Sequence, residues 1–289
     1  MPGSGRGRTI GIWILAILIT LAAVVYQRLI GPTRPVRGTA TLDGIEIDYR
    51  LDRSHAGPED HRLAIHVPAE AISGYIVYQR YKTDDPPTRI PLRRAGEELV
   101  AQLPHQPPGG KLVYTVHLVH TKTRTDAGIE SIARTSGTLG GPTVIRFRGG
   151  VPVAVMIPHV LLMFLAMLWS NRAGLGALRG EAGVPHLTYL ACGLLVAGGL
   201  VFGPLVQWHA FGEFWTGFPR GHDLTDNKTL IAALAWLGAL LLVARRSAYR
   251  RHGVVAAALV TLVIFSIPHS VLGTELDYAT LSAPADSLP

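Results

Sequence analysis

Leu187–Gln207, LTYLACGLLVAGGLVFGPLVQ, contains no charged side chain, and its reading decides the fold. A helix needs about 20 consecutive apolar residues to cross the hydrocarbon core of a bilayer, and this run is long enough. Working outward, four other blocks have the same character: Ile10–Tyr26, Val151–Trp169, Leu230–Ala244 and Gly253–Leu272. The fourth is short unless Asn227 to Thr229 begin its helix. The pattern predicts five transmembrane spans. Within the quoted run, Gly199 and Gly203 have the four-residue spacing that lets membrane helices approach closely, and Pro204 loosens the end that follows.

The chain is 48% hydrophobic and only 16% charged over 289 residues, which excludes an ordinary soluble enzyme. Its net charge of +7 is not spread as a nucleic-acid footprint. The arginines gather beside the apolar blocks: Arg6 and Arg8, then Arg172 and Arg179, then Arg245, Arg246, Arg250 and Arg251. Counting spans puts all three groups on one side, which the positive-inside rule makes cytoplasmic. Residues 27–150, the loop after Gln207 and the acidic tail with Glu275, Asp277 and Asp286 then face outward. The expected location is a bacterial inner membrane, with the bilayer as the first partner and no nucleic acid. The first block lacks a small-x-small cleavage site, so it reads as an uncleaved anchor. Cys192 is the sole cysteine and excludes an intramolecular disulfide.

Between the anchor and the second span the period changes. After Gly31-Pro32-Thr33-Arg34-Pro35, a stiff exit linker, short β-rich runs recur between turn residues. The predicted strands are Thr39–Leu42, Ile45–Leu51, Arg62–Val67, Gly74–Tyr81, Arg89–Arg93, Glu98–Leu103, Leu112–His120 and Val144–Arg148. Asp43-Gly44 is a strong hairpin signal. Seven or eight strands in this length suit an all-β immunoglobulin-like sandwich. The run from Arg89 through Leu103-Pro104 to Tyr114 resembles the early-set immunoglobulin-like modules of carbohydrate-active enzymes and adhesins, which implies a fold and no ligand. His55, His61 and His66 could form a metal cluster, but they read, with His117 and His120, as scattered surface histidines. The expected division is 1–30 stub and anchor, 31–150 β-sandwich, 151–278 four-helix transmembrane domain with an outer loop at 208–229, and 279–289 disordered tail. The fold class is thus a helical membrane bundle joined to an extracytoplasmic β-domain.

The loop Trp208–Leu230, WHAFGEFWTGFPRGHDLTDNKTL, is dense in aromatic and ionisable residues. Topology places His159, His209, His222 and His269, with Asp223, Asp226, Glu275 and Asp277, at or near the outer face. Ile157-Pro158-His159 and Ile267-Pro268-His269 form a repeated triplet in which proline is expected to kink each helix. Ionisable groups at membrane depth are costly and mark functional candidates.

Three uses of these residues compete. Phe211 to Arg220 is similar to the tryptophan-rich outer loop of the haem-handling proteins of cytochrome c biogenesis, with Gly212, Trp215, Pro219 and Arg220 matching. Gly217 and Phe218 replace the second Trp and the Asp of that motif. The resemblance implies a haem held by His159, His269 and His209 and covered by Trp215 with Phe211, Phe214 and Phe218. Alternatively, His222, Asp223 and Asp226 ligate zinc or copper, to which imidazole and carboxylate are suited. In the structural use, Asp223 or Thr225 caps the fourth helix, Asp226 complements its positive end, and the aromatic residues form an interfacial belt.

Over most of its length the chain also resembles a group of uncharacterised bacterial membrane proteins with an anchor, an outer β-domain and a four-helix region. Those proteins carry the Ile-Pro-His triplets and the run found here at Gly221 to Lys228. Nucleophile-elbow, Walker, dinucleotide and zincin motifs are all missing from the sequence, which disfavours an enzyme. The expected function is a non-catalytic adaptor or assembly factor that engages another envelope membrane protein, with haem or metal binding as the alternative.

Overall fold

The computed structural model describes residues 3–42, 44–120, 126–128, 142–269, 271, 273 and 275–281. The chain divides into two compact units. One is helical and comprises the residues up to Pro32 and from Val151 to Thr274. The other is the β-unit from Thr33 to Gly150, joined by the chain from Glu275 onward.

The helical unit consists of α1 (Gly3–Ile30), α2 (Val153–Arg179), α3 (Val184–Leu195), α4 (Gly203–Phe211), α5 (Leu224–Ala244) and α6 (Arg250–Ser266). A π-helical segment, Val196–Phe202, joins α3 to α4 in one continuous rod. Four of these rods, Gly7–Ile30, Val153–Arg179, Val184–Phe211 and Leu224–Ala244, are long and apolar enough to cross a bilayer.

Many small residues face inward and many large aliphatic ones outward. Ala173, Ala177, Ala191, Ala232, Ala239, Ala257 and Ala258 pack in the core, while Ile14, Leu18, Leu161, Leu234, Leu237 and Leu259 lie exposed. A bilayer supplies no hydrophobic drive between helices, so close backbone approach and buried hydrogen bonds hold them instead. Trp236 Nε1 donates to Thr261 Oγ1 at 2.9 Å, and Asn171 Nδ2 donates to Thr20 Oγ1 at 2.9 Å. Gly199 has no room for a side chain, since an added Cβ would stand 2.7 Å from Thr229 Cγ2. At the opposite end Arg172 is buried, pairs with Glu181 at 2.6 Å and lies over the Trp13 ring.

Of the expectations about helix ends, one holds and one changes. The short fourth block gains length at its start, because α5 begins at Leu224 with Asp223 as its N-cap. The fifth loses its end: α6 stops at Ser266, and Ile267 is extended with φ −74° and ψ 124°. Proline crowds the residue before it out of the helical region, so Pro268 ends the helix and does not kink it. Pro158, near the start of α2, is accommodated inside its helix. The two Ile-Pro-His triplets are therefore not equivalent.

The β-unit contains the predicted strands and three short additional ones. β1 (Val36–Leu42) and β2 (Ile45–Leu51) form a hairpin whose turn holds Gly44 at φ +80°. Ile47, Tyr49 and Leu51 point inward and Glu46, Asp48 and Arg50 outward, the period-2 pattern of a half-buried strand. A second sheet has the order β3 (Ser54–Ala56), β11 (Thr143–Arg148), β9 (Lys111–His120), β5 (Ile72–Arg80), β6 (Thr88–Pro91), with β10 (Asp126–Gly128) also on β9. The third runs β4 (His61–His66), β8 (Glu98–Leu103), β7 (Arg93–Ala95). The stretch expected as one strand, Arg89–Arg93, is split between two sheets. Pro91 has no N–H for a ladder, and Leu92 turns into the core as the chain crosses from β6 to β7.

One core joins the three sheets, with Leu42, Ile47, Leu63, Ile76, Leu103, Val116 and Phe147 among its members. Residues 275–278, assigned from sequence to the helical domain, belong to the β-unit. Leu276 N donates to Gly109 O at 3.1 Å, and Glu275 Oε2 accepts from Lys111 Nζ at 2.9 Å. Tyr278 is 6% exposed. Its hydroxyl accepts from Lys111 N and donates to Gln106 Oε1 or Lys111 O. Pro268 ends the helix before this segment, and the apolar Tyr278 ring with its polar tip finds a socket at the start of β9. Tyr278–Leu281 form the short helix α7. The rest of the expected disordered tail lies outside the described residues.

Candidate functional site

The polar groups of the helical unit converge where α6 ends and α5 begins. A helix end leaves its last carbonyls without intrahelical donors, and here Ile267 is extended while Pro268 has no N–H to offer. Two side chains supply the missing donors. Lys228, 2% exposed, donates from Nζ to Ile267 O at 2.8 Å and Pro268 O at 3.3 Å. Gln27 of α1 donates from Nε2 to Phe265 O at 2.8 Å and Ile267 O at 3.3 Å. The lysine also places its positive charge at the negative end of α6.

His159 enters from α2. Its Nδ1 lies 2.9 Å from Gly198 O in the π-helical segment. A carbonyl only accepts, so Nδ1 bears the proton in this bond and Nε2 keeps a lone pair. The Gly198 carbonyl also receives Gly203 N across the wide π turn. His269, just past Pro268, is exposed and lies within electrostatic range of Lys228, His159 and Asp223. Lys228, an ammonium between α5 and the end of α6, is a further charged group that acts on His269.

The carboxylates are occupied by the loop. Asp223 Oδ1 accepts from Thr225 N at 2.7 Å and Asp226 N at 3.4 Å, a helix N-cap. Asp226 Oδ2 accepts from Thr216 N at 2.7 Å and Thr216 Oγ1 at 3.2 Å. Asn227 Oδ1 accepts from Phe218 N at 2.7 Å, and Gln207 Nε2 donates to Thr216 Oγ1 at 2.8 Å. Gly217 is buried against Asp226 and Asn227, where a Cβ would stand 2.7 Å from Asp226 Cβ. The loop is thus strapped onto the first turn of α5.

The sequence-predicted metal trio does not assemble. Asp223 and Asp226 hold backbone amides, and His222 is exposed. Among the described residues, no three His, Cys, Asp or Glu side chains converge to hold a metal ion. Of the expected haem residues, Trp215 donates its indole N–H to Phe218 O at 3.0 Å. His209 sits half-buried in the last turn of α4, and Trp208 stacks on Phe214 at 4.6 Å. Glu275 and Asp277, expected near this face, belong to the β-unit. Sequence reasoning missed Lys228 and Gln27.

In the β-unit, His55 and His61 are paired, with their Nδ1 atoms 3.3 Å apart. His66 is elsewhere, beside Glu97 at 4.0 Å, and His117 stacks on Tyr75 at 4.7 Å. The side chain of His120 lies outside the described residues. His61 is 6% exposed. Burial, then the neighbouring His55 ring, hold its pKa below 6.5 despite the opposing charge of Asp52.

Long apolar helices and a strand-built unit together define a membrane protein of mixed helical and β organisation. No protein-family description, curated protein or solved structure matches the chain.

Proposed function

We propose that the protein is an adaptor or assembly factor of a bacterial inner membrane, in which five spans anchor an outer immunoglobulin-like domain that docks another envelope membrane protein. The observation that carries this reading is the internal use of the outer polar groups. Asp223, Asp226, Asn227, Lys228 and Gln27 each bond the protein's own backbone or loop. A scaffold needs such fixation, whereas a catalytic site needs polar atoms aimed at a substrate.

The five-span topology is supported by parity. The β-unit follows the first span, and Glu275 belongs to that same unit. An even number of crossings between Gly150 and Glu275 agrees with that membership. To the three rods Val153–Arg179, Val184–Phe211 and Leu224–Ala244 the proposal adds α6, of 17 residues, as a fourth. The basic segments at Arg172, Arg179 and Arg245–Arg251 then share the cytoplasmic side with the N-terminus.

A photo-cross-linking residue placed at Glu46 or Gln102, both exposed on strands, tests the adaptor in the native membrane. One discrete cross-linked membrane protein is the expected product. Absence of any product at either site overturns the proposal.

One observation favours a second reading, haem binding at the same outer site. The Nδ1 bond from His159 to Gly198 O is how ligating imidazoles are oriented, leaving Nε2 for a metal. A Soret band in protein purified from its host, lost in His159→Ala, supports that reading. A featureless spectrum removes it.

A further inference from the structure

We propose that His55 and His61 form a chelating site for a tetrahedral transition-metal ion of the zinc class on the β-unit, distinct from the outer site of the helical unit. The proposal does not depend on the adaptor function.

The geometry of the pair carries it. The two Nδ1 atoms are 3.3 Å apart, and the ring centres are 5.2 Å apart at an interplanar angle of 68°. Two imidazoles bound through Nδ1 to one tetrahedral ion at about 2.05 Å would place their nitrogens about 3.3 Å apart and their ring centres about 5.2 Å apart. A straight N–H···N hydrogen bond of the same length would put the centres about 5.6 Å apart, and such bonds are normally nearer 2.9–3.0 Å. Both distances are those of two imidazole nitrogens converging on one shared ion.

Tautomer and placement agree. His55 Nε2 lies 2.8 Å from Glu59 O, so it bears the proton and leaves Nδ1 as a lone pair. A backbone carbonyl behind a ligating imidazole is the usual outer partner at metal sites. His55 also packs edge-on against Phe147 at 5.5 Å, which fixes its ring from the other side.

His55 belongs to β3, which lies parallel to β11, and His61 opens β4 in the three-stranded sheet. An ion held by both would clip two sheets that no ladder joins at this point. No third His, Cys, Asp or Glu joins the pair among the described residues, so water or an exogenous ligand completes the tetrahedron. Imidazole donors select zinc or copper over magnesium and calcium.

The test uses the full chain without a histidine tag, in detergent, stripped with a chelator and titrated with Zn²⁺. The wild type is expected to bind one equivalent and to unfold at a higher temperature with zinc than without. His55→Ala should weaken binding at least about tenfold and abolish the thermal shift. His66→Ala should change neither, and Mg²⁺ should not substitute. His61→Ala removes a buried ring, so the half-buried His55 variant decides, with circular dichroism confirming its fold. No zinc binding by the wild type, or equal binding by His55→Ala, overturns the proposal.

Discussion

Lys228 donates from Nζ to the carbonyl of Ile267 at 2.8 Å, so a lysine on α5 closes the open end of α6. Replacing it with methionine keeps the volume and removes the donor. Pro268 O then loses its donor in a buried setting while Ile267 O keeps Gln27, and an unsatisfied buried acceptor costs about 1–3 kcal/mol. Lys228→Met is expected to lower the midpoint of thermal unfolding in detergent. Gln27→Ala should cost less on its own. Because both residues address Ile267 O, the double variant should depart from additivity.

Asp223→Ala removes the α5 cap, worth about 1 kcal/mol, while Asp223→Asn should retain most of it. Asp226→Ala releases Thr216 and loosens the strapped loop. Trypsin should then cleave at Arg220 markedly faster than in the wild type, with Asp223→Asn close to the wild-type rate. Equal rates in Asp226→Ala and the wild type would show that the strap does not hold the loop.

Gly199 lies against Thr229, and the added bulk of Gly199→Leu is expected to cost about 1–3 kcal/mol through overpacking. Gly193, with open space at its Cβ position, should accept alanine without loss. The two variants compared by thermal unfolding separate a packing role from helix propensity.

Glu275 provides a pH dependence. Burial alone would raise its pKa, but hydrogen bonds and charges from Lys111 and Lys82 outweigh burial and hold it below 4.5. A carboxylate with a depressed folded-state pKa contributes stability above its ordinary value and loses it as pH falls through the lowered one. Glu275→Gln should therefore speed hydrogen exchange at Leu276 N–H near pH 7. The difference from wild type should vanish as pH falls through that lowered pKa.

The two halves of the chain were legible to different depths. Length and hydropathy marked the long rods, since a membrane span is a one-dimensional property of about 20 residues. Period-2 alternation marked β2 and β4. Pro91 divided what alternation read as one strand, because a sheet switch is set by where Leu92 packs. Asp223 was legible as a cap from its position alone, as capping is local.

The candidate site was less so. His159 and His269 were placed on one face from topology, but their neighbour Lys228 was not. Its partners, Ile267 O and Pro268 O, are backbone atoms about 40 positions away, which side-chain spacing cannot signal. His55 and His61 looked like scattered surface residues because pairing depends on β3 lying against β11, a parallel contact made across the whole β-unit.

The sequence by itself determined the membrane class and the strand-rich insert, because composition and period are local or additive quantities. Only the tertiary structure decided which polar atoms are already engaged. It gave Asp226 to Thr216, Lys228 to the end of α6, Tyr278 to the β-unit and His55 to His61. Hydrogen bonds and metal geometry depend on distances of a few tenths of an ångström between residues far apart in the chain, and those distances exist only once the chain has packed.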